Sequence, residues 1–213
     1  LDPSTNPLMT KGMLWINKAR SGPCCNTWWT TSYMDISRSL AGAAALGGKL
    51  YVVGGVNDDP TFPTLPTEVE VYDPINNSWS YVASMSNGLE APGVAALGGK
   101  LYVLGGTPYT TTSHVYDPSE NSWNSIAPMQ LQNRSHLCVA ALGRKLYAVG
   151  GQITGAPWVA QTNEVYDPAD NSWNNIALMN TQRWYAMCAA LGGKLYVTGG
   201  KDWLGNELKT TEV

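Results

Sequence analysis

The stretch Leu50-Tyr51-Val52-Val53-Gly54-Gly55 occurs four times along the chain in closely similar form. Its other copies begin at Leu101, Leu146 and Leu195, and each ends in the same pair of glycines. The first glycines of successive pairs lie 51, 45 and 49 residues apart. A repeat of about 50 residues marked by Gly-Gly is typical of a propeller array. This stretch therefore predicts an all-β repeat protein.

One full repeat lies within residues 38–85, where turn residues divide the sequence into four short segments. Gly47-Gly48 is a signal for a two-residue β-hairpin. Asp73-Pro74 favours another turn, because proline presets φ and the aspartate side chain can accept hydrogen bonds from nearby backbone N–H groups. Gly54-Gly55 ends a strand, since glycine tolerates positive φ and close backbone contact. We predict four strands per repeat, here at residues 41–46, 49–53, 68–72 and 79–85.

Large apolar side chains recur in phase with the glycine pairs. Each of four tryptophans is followed six residues later by a methionine: Trp28 and Met34, Trp79 and Met85, Trp123 and Met129, Trp173 and Met179. A small four-stranded sheet cannot bury both faces alone, so repeats must stack or close into a ring. A tryptophan buries roughly 150–250 Å². We therefore interpret these residues as packing between neighbouring sheets.

Composition excludes two classes of partner. The chain has 213 residues, 44% of them hydrophobic, and a formal charge of −3. This charge leaves no basic surplus for nucleic acid. No apolar run approaches the roughly 18 residues of a membrane helix. We expect neither a nucleic-acid nor a membrane partner, and the oligomeric state does not follow from the sequence.

Four cysteines bear on the compartment. Cys24 and Cys25 are adjacent in the chain and rarely bridge each other, whereas Cys138 and Cys188 lie in apolar strand-like runs. Cysteine in such a run usually behaves as a small buried hydrophobic residue. This favours a reducing compartment, and we predict a cytoplasmic protein.

Three marks recur in order in each repeat. Gly-Gly is followed by Tyr-Asp-Pro and then by Asn-Ser-Trp, the last two at 72–74 and 77–79, 116–118 and 121–123, and 166–168 and 171–173. These residues resemble the kelch repeat over about residues 26–213. The wording Val-Tyr-Asp-Pro-x-x-Asn-Ser-Trp looks most like the kelch-like adaptors that pair a BTB domain with a propeller. The resemblance implies a closed β-propeller of four-stranded antiparallel kelch blades.

The sequence contains three complete repeats and incomplete ones at both ends. The chain ends at Val213, where a third strand should begin, and opens with Leu1-Asp2-Pro3, which reads as that strand's continuation. We predict a partial blade and ring-closing segment at residues 1–25 and a kelch-repeat propeller at 26–213. Cys25 is followed at once by Asn26-Thr27-Trp28, so three strands are missing there. A deletion, a mis-joined exon or a missing stretch would explain this. Four blades are evident, either as a four-bladed ring or as part of a five- or six-bladed one.

Arginines occupy an equivalent loop position in most repeats. Counting back 16 residues from the first glycine of each pair gives Arg38, Leu89, Arg134 and Arg183. In the kelch-like adaptors that this chain resembles, arginine at this position lines the substrate-binding surface and can grip acidic peptides. An arginine fork suits carboxylates. The alternative is that these arginines are repeat residues that bond local backbone.

The loops after the glycine pairs supply further candidates. They carry Tyr109, Trp158 and Trp203, and Trp184 and Tyr185 adjoin an arginine. Loops on a rigid scaffold often carry function, and exposed aromatic residues beside arginine are typical of binding hot spots. Each aromatic residue could instead pack under its own loop. We predict a partner-binding surface from this set together with the arginines.

Signals for catalysis are weak. The chain has two histidines, His114 and His136, too few for the copper centre of galactose oxidase, which uses a kelch-type propeller. The Glu-x-x-x-Asp-x-x-x-His pattern of nitrile-specifier kelch proteins is absent, as are the usual nucleophile, phosphate-loop and Cys-x-x-Cys motifs. Asp58-Asp59 precedes Pro60 and reads as a solvated turn. We expect no enzyme, catalytic residue, metal site or cofactor.

The leading hypothesis is a non-enzymatic kelch propeller that binds a protein or peptide segment, with an acidic segment as the candidate that the arginines suggest. By resemblance, it would be the substrate-recognition module of a ubiquitin-ligase adaptor. Two alternatives remain open: a kelch-type enzyme that acts on carbohydrate or with a metal, and a structural or actin-associated scaffold propeller.

Overall fold

The computed structural model describes residues 30–57, 64–108, 111–131, 133–155 and 158–213. The chain divides into two units, Leu1–Thr31 and Ser32–Val213, and nearly all described residues belong to the second. The regular structure of the described residues is entirely β, with no helix that could span a membrane. The all-β prediction is confirmed.

The strands form four blades that follow one another along the chain. Three blades are four-stranded antiparallel sheets in simple sequence order, and the last has three strands. Blade 1 consists of β1 (Gly42–Leu46), β2 (Lys49–Val53), β3 (Val69–Asp73) and β4 (Ser78–Val82). Blade 2 consists of β5 (Gly93–Leu97), β6 (Lys100–Leu104), β7 (Ser113–Asp117) and β8 (Ser122–Ile126).

Blade 3 is interrupted by a short extra pair of strands. It consists of β10 (Cys138–Leu142), β11 (Lys145–Val149), β13 (Asn163–Asp167) and β14 (Ser172–Ile176), while β9 (Arg134–Ser135) and β12 (Gln152–Ile153) pair separately. Blade 4 consists of β15 (Met187–Leu191), β16 (Lys194–Thr198) and β17 (Thr211–Glu212). The predicted four strands per repeat are thus confirmed in three blades, and in blade 1 the boundaries differ from the predicted ones by no more than three residues.

The turn residues behave as their chemistry predicts. Gly47 and Gly48 have φ of 58° and 75°, which suits the tight turn that joins β1 to β2. In the turn between β3 and β4, the Asp73 carboxylate accepts from the Ile75 N–H at 2.9 Å. Asn77 follows with φ of 50°, and its Oδ1 accepts from the Tyr72 hydroxyl at 2.8 Å. Asparagine tolerates this left-handed conformation better than most residues, which explains its place at this turn in blades 1 to 3.

Neighbouring blades pack through their first strands, β1 against β5, β5 against β10, and β10 against β15. Tryptophan then seals the outer part of the two joints between blades 1, 2 and 3. Trp173 is only 2% exposed, and its indole N–H donates to the Ala127 carbonyl of the preceding blade at 2.8 Å. Trp123 makes the same bond to Ala83 at 2.7 Å. The interpretation of the tryptophans as packing residues therefore holds for those described.

The glycine pairs make room for the next blade. A Cβ on Gly105, which has φ of 63°, would overlap the Arg134 carbonyl oxygen of blade 3. The N–H of Gly106 donates to that same carbonyl at 2.9 Å. One glycine therefore allows the close approach and its neighbour uses it for a backbone bond between blades. Gly150 and Gly151 repeat the arrangement against Arg183.

A disulfide joins Cys138 of β10 to Cys188 of β15, 50 residues apart. The expectation that these two residues are separate buried thiols is therefore wrong. Both cysteines are half-buried rather than buried, and the packing of β10 against β15 brings their sulfur atoms together. The argument from them for a reducing compartment no longer holds, and the cytoplasmic location stays a prediction.

Several sequence predictions fall outside the described residues. These are the partial blade at residues 1–25, Trp28, the break at Cys25-Asn26, the Asp58-Asp59 turn and Tyr109. The predicted boundary between residues 1–25 and 26–213 likewise stays a prediction.

Candidate functional site

The arginine position is buried inside each blade. The Arg134 side chain is fully buried, as is that of Glu164, and Arg134 Nη2 donates to Glu164 Oε1 at 3.0 Å. Arg134 Nη1 donates to the carbonyl oxygens of Gly150 at 3.4 Å and Thr162 at 3.0 Å. Burial lowers the pKa of Arg134, while Glu164 opposes that shift. The guanidinium thus holds together the end of one sheet.

The same pair occurs in blades 1 and 4. Arg38 donates to Glu70 at 2.7 Å and Arg183 to Glu212 at 2.6 Å, and all four side chains are buried or nearly so. The glutamate carboxylates also accept backbone N–H groups from the loop before each arginine, such as Leu131 N–H on Glu164 at 2.9 Å. Each pair therefore ties a loop to the third strand of its blade.

This geometry corrects the prediction that Arg38, Arg134 and Arg183 offer free guanidinium groups to an acidic partner. Each guanidinium forms an ion pair with a glutamate and donates hydrogen bonds to backbone carbonyl groups. A buried cation needs both kinds of partner to offset the loss of its hydration. Leu89, the equivalent residue of blade 2, is 4% exposed and lies in the core. The sequence argument identified the right loop but a side chain that points into the blade.

The residue two positions after the arginine, or after Leu89 in blade 2, lines a surface shared by all four blades. Leu40, Ala91, His136 and Tyr185 all have positive φ, between 48° and 55°. Their backbones form a chain of hydrogen bonds from blade to blade: Ala91 N–H to Leu40 O at 2.9 Å, His136 N–H to Ala91 O at 3.0 Å, and Tyr185 N–H to His136 O at 3.2 Å. One non-glycine residue per blade in the left-handed region is unusual and brings these four together.

These residues line a concave surface where the four blades converge, which we call the central cavity. Its volume is about 210 Å³, and each blade contributes two adjacent residues to its lining: Leu40 and Ala41, Ala91 and Pro92, His136 and Leu137, Tyr185 and Ala186. Because the first member of each pair differs between blades, the wall changes from aliphatic to aromatic around the cavity. A small concave surface of this kind can bind an apolar side chain or a peptide turn.

An aromatic cluster occupies one side of the central cavity. The His136 ring lies 4.3 Å from the Tyr185 ring and 5.8 Å from the Trp184 ring, in edge-on geometry, and the last two rings lie 4.5 Å apart. Trp184 is held by a hydrogen bond from its indole N–H to the Asp202 carbonyl at 3.2 Å. Tyr185 is 43% exposed, so the cluster is both ordered and accessible.

His136 is polar but is kept uncharged near neutral pH. Burial lowers its pKa, and its Nδ1 lies 2.9 Å from the Ser135 hydroxyl. Its Nε2 is buried without a hydrogen-bond partner among the described residues. Burial thus favours the neutral form of the His136 imidazole, whose ring lines the cavity.

The other predicted loop aromatics lie apart from this cluster or outside the described residues. Trp158 and Trp203 are 59% and 62% exposed on separate loops of blades 3 and 4. Trp158 has φ of 64° and its N–H donates to Gly155 O at 2.8 Å, which fixes the loop that carries it. Tyr109 falls outside the described part of the chain. Of the predicted set, Trp184 and Tyr185 are brought together at the cavity.

Sequence reasoning missed Leu40 and His136 as cavity residues. The signal was present, because the position 14 residues before each glycine pair varies while the arginine position largely repeats. A repeated residue is expected where each blade needs the same internal bond, and a varied residue where the blade meets something outside it. Among the described residues, no three histidine, cysteine, aspartate or glutamate side chains group as a metal site would require.

Similarity to known proteins agrees with this architecture. A solved structure described as the structure of YjhT matches with a TM-score of 0.67 at 14% identity, covering 87% of this chain and 84% of that one. At this identity the likeness shows the fold alone. Among curated proteins, the chain is 37% identical over 85 residues to Kelch-like ECH-associated protein 1B of Danio rerio, covering 40% of this chain and 14% of that protein.

Further relatives carry similar names. Kelch-like protein 25 of Rattus norvegicus is 40% identical over 85 residues, and Kelch-like protein 6 of Homo sapiens is 35% identical over 83. These matches cover 38% and 39% of this chain and only 14% and 13% of the relatives' length. The family model of the kelch motif matches residues 37–86, 91–130 and 133–180, which together exceed half of the chain. The chain therefore belongs to the kelch-repeat family of β-propellers.

Proposed function

We propose that this protein is a non-enzymatic binding module that recognises a segment of another protein at the central cavity. The observation that carries the proposal is the ordered aromatic cluster of His136, Trp184 and Tyr185 at the point where the four blades converge. Aromatic residues held rigidly in a concave surface supply large contact area at low entropic cost. The similarity to kelch-like proteins supports the same role.

The partner segment is best described as apolar. The arginines that suggested an acidic ligand are neutralised by their glutamates, so an acidic side chain would gain little from them. The cavity instead offers the aromatic rings of His136 and Tyr185 and the aliphatic side chain of Leu40. We include Trp158 and Trp203, exposed on their loops, in the proposed binding set, and Tyr109 stays a candidate from the sequence alone.

A finer proposal concerns the biological setting. The relatives are kelch-like proteins several times longer than the matched segment, and the repeat wording resembles adaptors with a BTB domain. We propose that this propeller recognises substrates for a ubiquitin-ligase adaptor in the cytoplasm. That step depends on a second domain that would connect the propeller to a ligase.

The test is a selection of peptides from a display library on the purified chain, followed by binding measurements on single variants. Tyr185→Ala and Leu40→Ala should each weaken a selected peptide by about tenfold, since both remove exposed apolar area from one cavity. Tyr81→Ala is the control, because Tyr81 is 50% exposed on the outermost strand of blade 1. Equal effects of Tyr81→Ala and Tyr185→Ala would refute the assignment of the site to the cavity.

A further inference from the structure

Blade 2 lacks the buried ion pair that the other three blades share. His114 of β7 occupies the glutamate position, two residues before the tyrosine of Tyr-Asp-Pro, and Leu89 occupies the arginine position. Leu89 packs in the core. His114 is half-buried, and its ring makes no hydrogen bond with a described residue. Blade 2 has therefore lost a carboxylate together with the cation that paired with it.

In the other blades this carboxylate also binds backbone N–H groups of the preceding loop. In blade 4, Glu212 accepts from the Asn180 N–H at 2.6 Å and from the Thr181 N–H at 3.0 Å. The same arrangement occurs in blade 3, with distances of 2.9 Å, among Gln130, Leu131 and Glu164. In both blades the two N–H groups belong to the residues that follow the repeated methionine. The loop thus forms a binding site for one carboxylate, through hydrogen bonds strengthened by its charge.

The two N–H groups are present in blade 2 without their carboxylate. Ser86 and Asn87 follow Met85 in the same way. The loop also has the same length as in blade 4, with four residues from the methionine to the arginine position. Among the described residues, nothing accepts from the Ser86 or Asn87 N–H. His114 has no carboxylate oxygen to offer them, so the loop of blade 2 keeps the donors and lacks the acceptor.

A pocket of about 520 Å³ lies at this place, between the end of blade 1 and the outer strands of blade 2. None of the described residues that line it is acidic. Hydroxyl and imidazole groups are common in its lining, which includes Ser84, Ser86, His114, Ser122 and Ser125. A pocket with N–H and O–H donors and without carboxylates of its own suits an anionic ligand, because hydrogen bonds to the charged form favour it.

We propose that this pocket of blade 2 binds a carboxylate from outside the chain, either an acidic side chain of another protein or a free organic acid. The N–H groups of Ser86 and Asn87 would donate to its oxygen atoms, as the equivalent groups of blade 4 donate to Glu212. His114 and Ser125 lie opposite each other on β7 and β8 and line the pocket, where both would donate as well. The pocket shares no lining residue with the central cavity, so the proposal does not depend on the function assigned to the cavity.

The test follows the backbone amides of the isotope-labelled full chain by NMR during a titration with sodium acetate. Sodium chloride at equal ionic strength is the reference. The Ser86 and Asn87 amide protons should move downfield and saturate, because a hydrogen bond to a carboxylate deshields them. Asn180 and Thr181 are internal controls, since Glu212 already accepts from them. Absence of a saturable shift at Ser86 and Asn87, or equal shifts at both pairs or with both salts, would overturn the proposal.

A double variant supplies the missing carboxylate from within the chain. Leu89→Arg with His114→Glu copies the ion pair of the other blades. Its Ser86 and Asn87 amide protons should lie downfield without ligand, and the response to acetate should be lost. His114→Leu is the milder change and should weaken acetate binding several-fold, since it removes one donor. Wild-type acetate affinity in either folded variant would contradict the assignment of the site to this pocket.

A second titration identifies the source of the carboxylate. Acetyl-glutamate amide copies an acidic side chain within a protein chain. Tighter binding of this compound than of acetate would assign the pocket to a protein partner, and tighter binding of acetate would assign it to a free organic acid. Failure of both compounds to shift the Ser86 and Asn87 resonances would overturn the proposal.

Discussion

Blade 3 and blade 4 share an arginine and a Leu-Tyr strand that ends in Gly-Gly, but these residues have different surroundings. In blade 3 the ion pair of Arg134 and Glu164 is sealed from solvent, whereas in blade 4 the carboxylate of Glu212 is 17% exposed beside Arg183. Leu146 is fully buried in blade 3, and its equivalent Leu195 lines an open groove. The comparison shows that the first three strands of a kelch blade leave part of its interior uncovered. The fourth strand and the next blade supply what its own first strands cannot.

The largest difference should appear when the arginine is removed. Arg134→Ala would leave Glu164 as an unpaired buried charge, which costs about 3–5 kcal/mol. Arg183→Ala should cost clearly less, because Glu212 can be solvated. Urea denaturation of the two variants measures this directly. Equal losses of unfolding free energy would show that blade 4 is sealed as tightly as blade 3.

The disulfide should couple the two blades. Cys138–Cys188 closes a 50-residue loop between the first strands of blades 3 and 4, and loop entropy assigns such a cross-link about 4 kcal/mol, with typical measured values of 2–4. Cys188→Ser should lower the free energy of unfolding by that order and increase hydrogen exchange first in β15 and β16. Uniform exchange across all blades would indicate that blade 4 is not the weaker region.

A matched pair of glycines separates steric crowding from backbone strain. Gly105 and Gly199 have nearly the same φ, 63° and 65°, but a Cβ on Gly105 would overlap the Arg134 carbonyl, while one on Gly199 would lie 3.7 Å from Leu208 O. Gly199→Ala should cost about 1 kcal/mol from the left-handed backbone alone. Gly105→Ala should cost about 1–3 kcal/mol more, as overpacking does. Thermal denaturation at matched pH compares them.

The smallest expected effect is the loss of the stabilising contribution of Glu212 at low pH. Burial tends to raise the pKa of Glu212, but hydrogen bonds from the Asn180 and Thr181 N–H groups and from Arg183 outweigh it and lower the pKa below its ordinary 4.5. A carboxyl whose pKa is lowered by folding stabilises the fold above its unfolded pKa, and this contribution disappears as pH falls through the folded value.

Glu212→Gln should therefore reduce stability at pH 7 and bring the variant closer to wild type as the pH falls below about 4.5. Denaturation curves between pH 7 and pH 3 measure the convergence. Glu207→Gln, exposed on the same blade, serves as control. A constant gap between Glu212→Gln and wild type at every pH would contradict the assignment.

Much of the scaffold could be predicted from short-range patterns. The second strand at 49–53, the Gly47-Gly48 turn and the Asp73-Pro74 turn follow from local chemistry that acts within a few residues, and the structure contains all three. The candidate site was harder to predict from the sequence. The loop of Arg134 was identified, but whether its side chain points inward depends on Glu164, 30 residues away, and nothing local reveals that choice.

The sequence by itself determined the blade, because repeat spacing, turn residues and in-phase tryptophans each act through local geometry or the simple need to bury apolar area. Tertiary structure alone decided three things: that the arginines face glutamates, that Cys138 meets Cys188, and that Leu40, Ala91, His136 and Tyr185 converge on one cavity. The first depends on how a loop packs on the third strand of its own blade, and the other two depend on how one blade packs against the next. Such packing joins residues about 30 to 50 positions apart. Over such separations, sequence patterns do not predict where a side chain points.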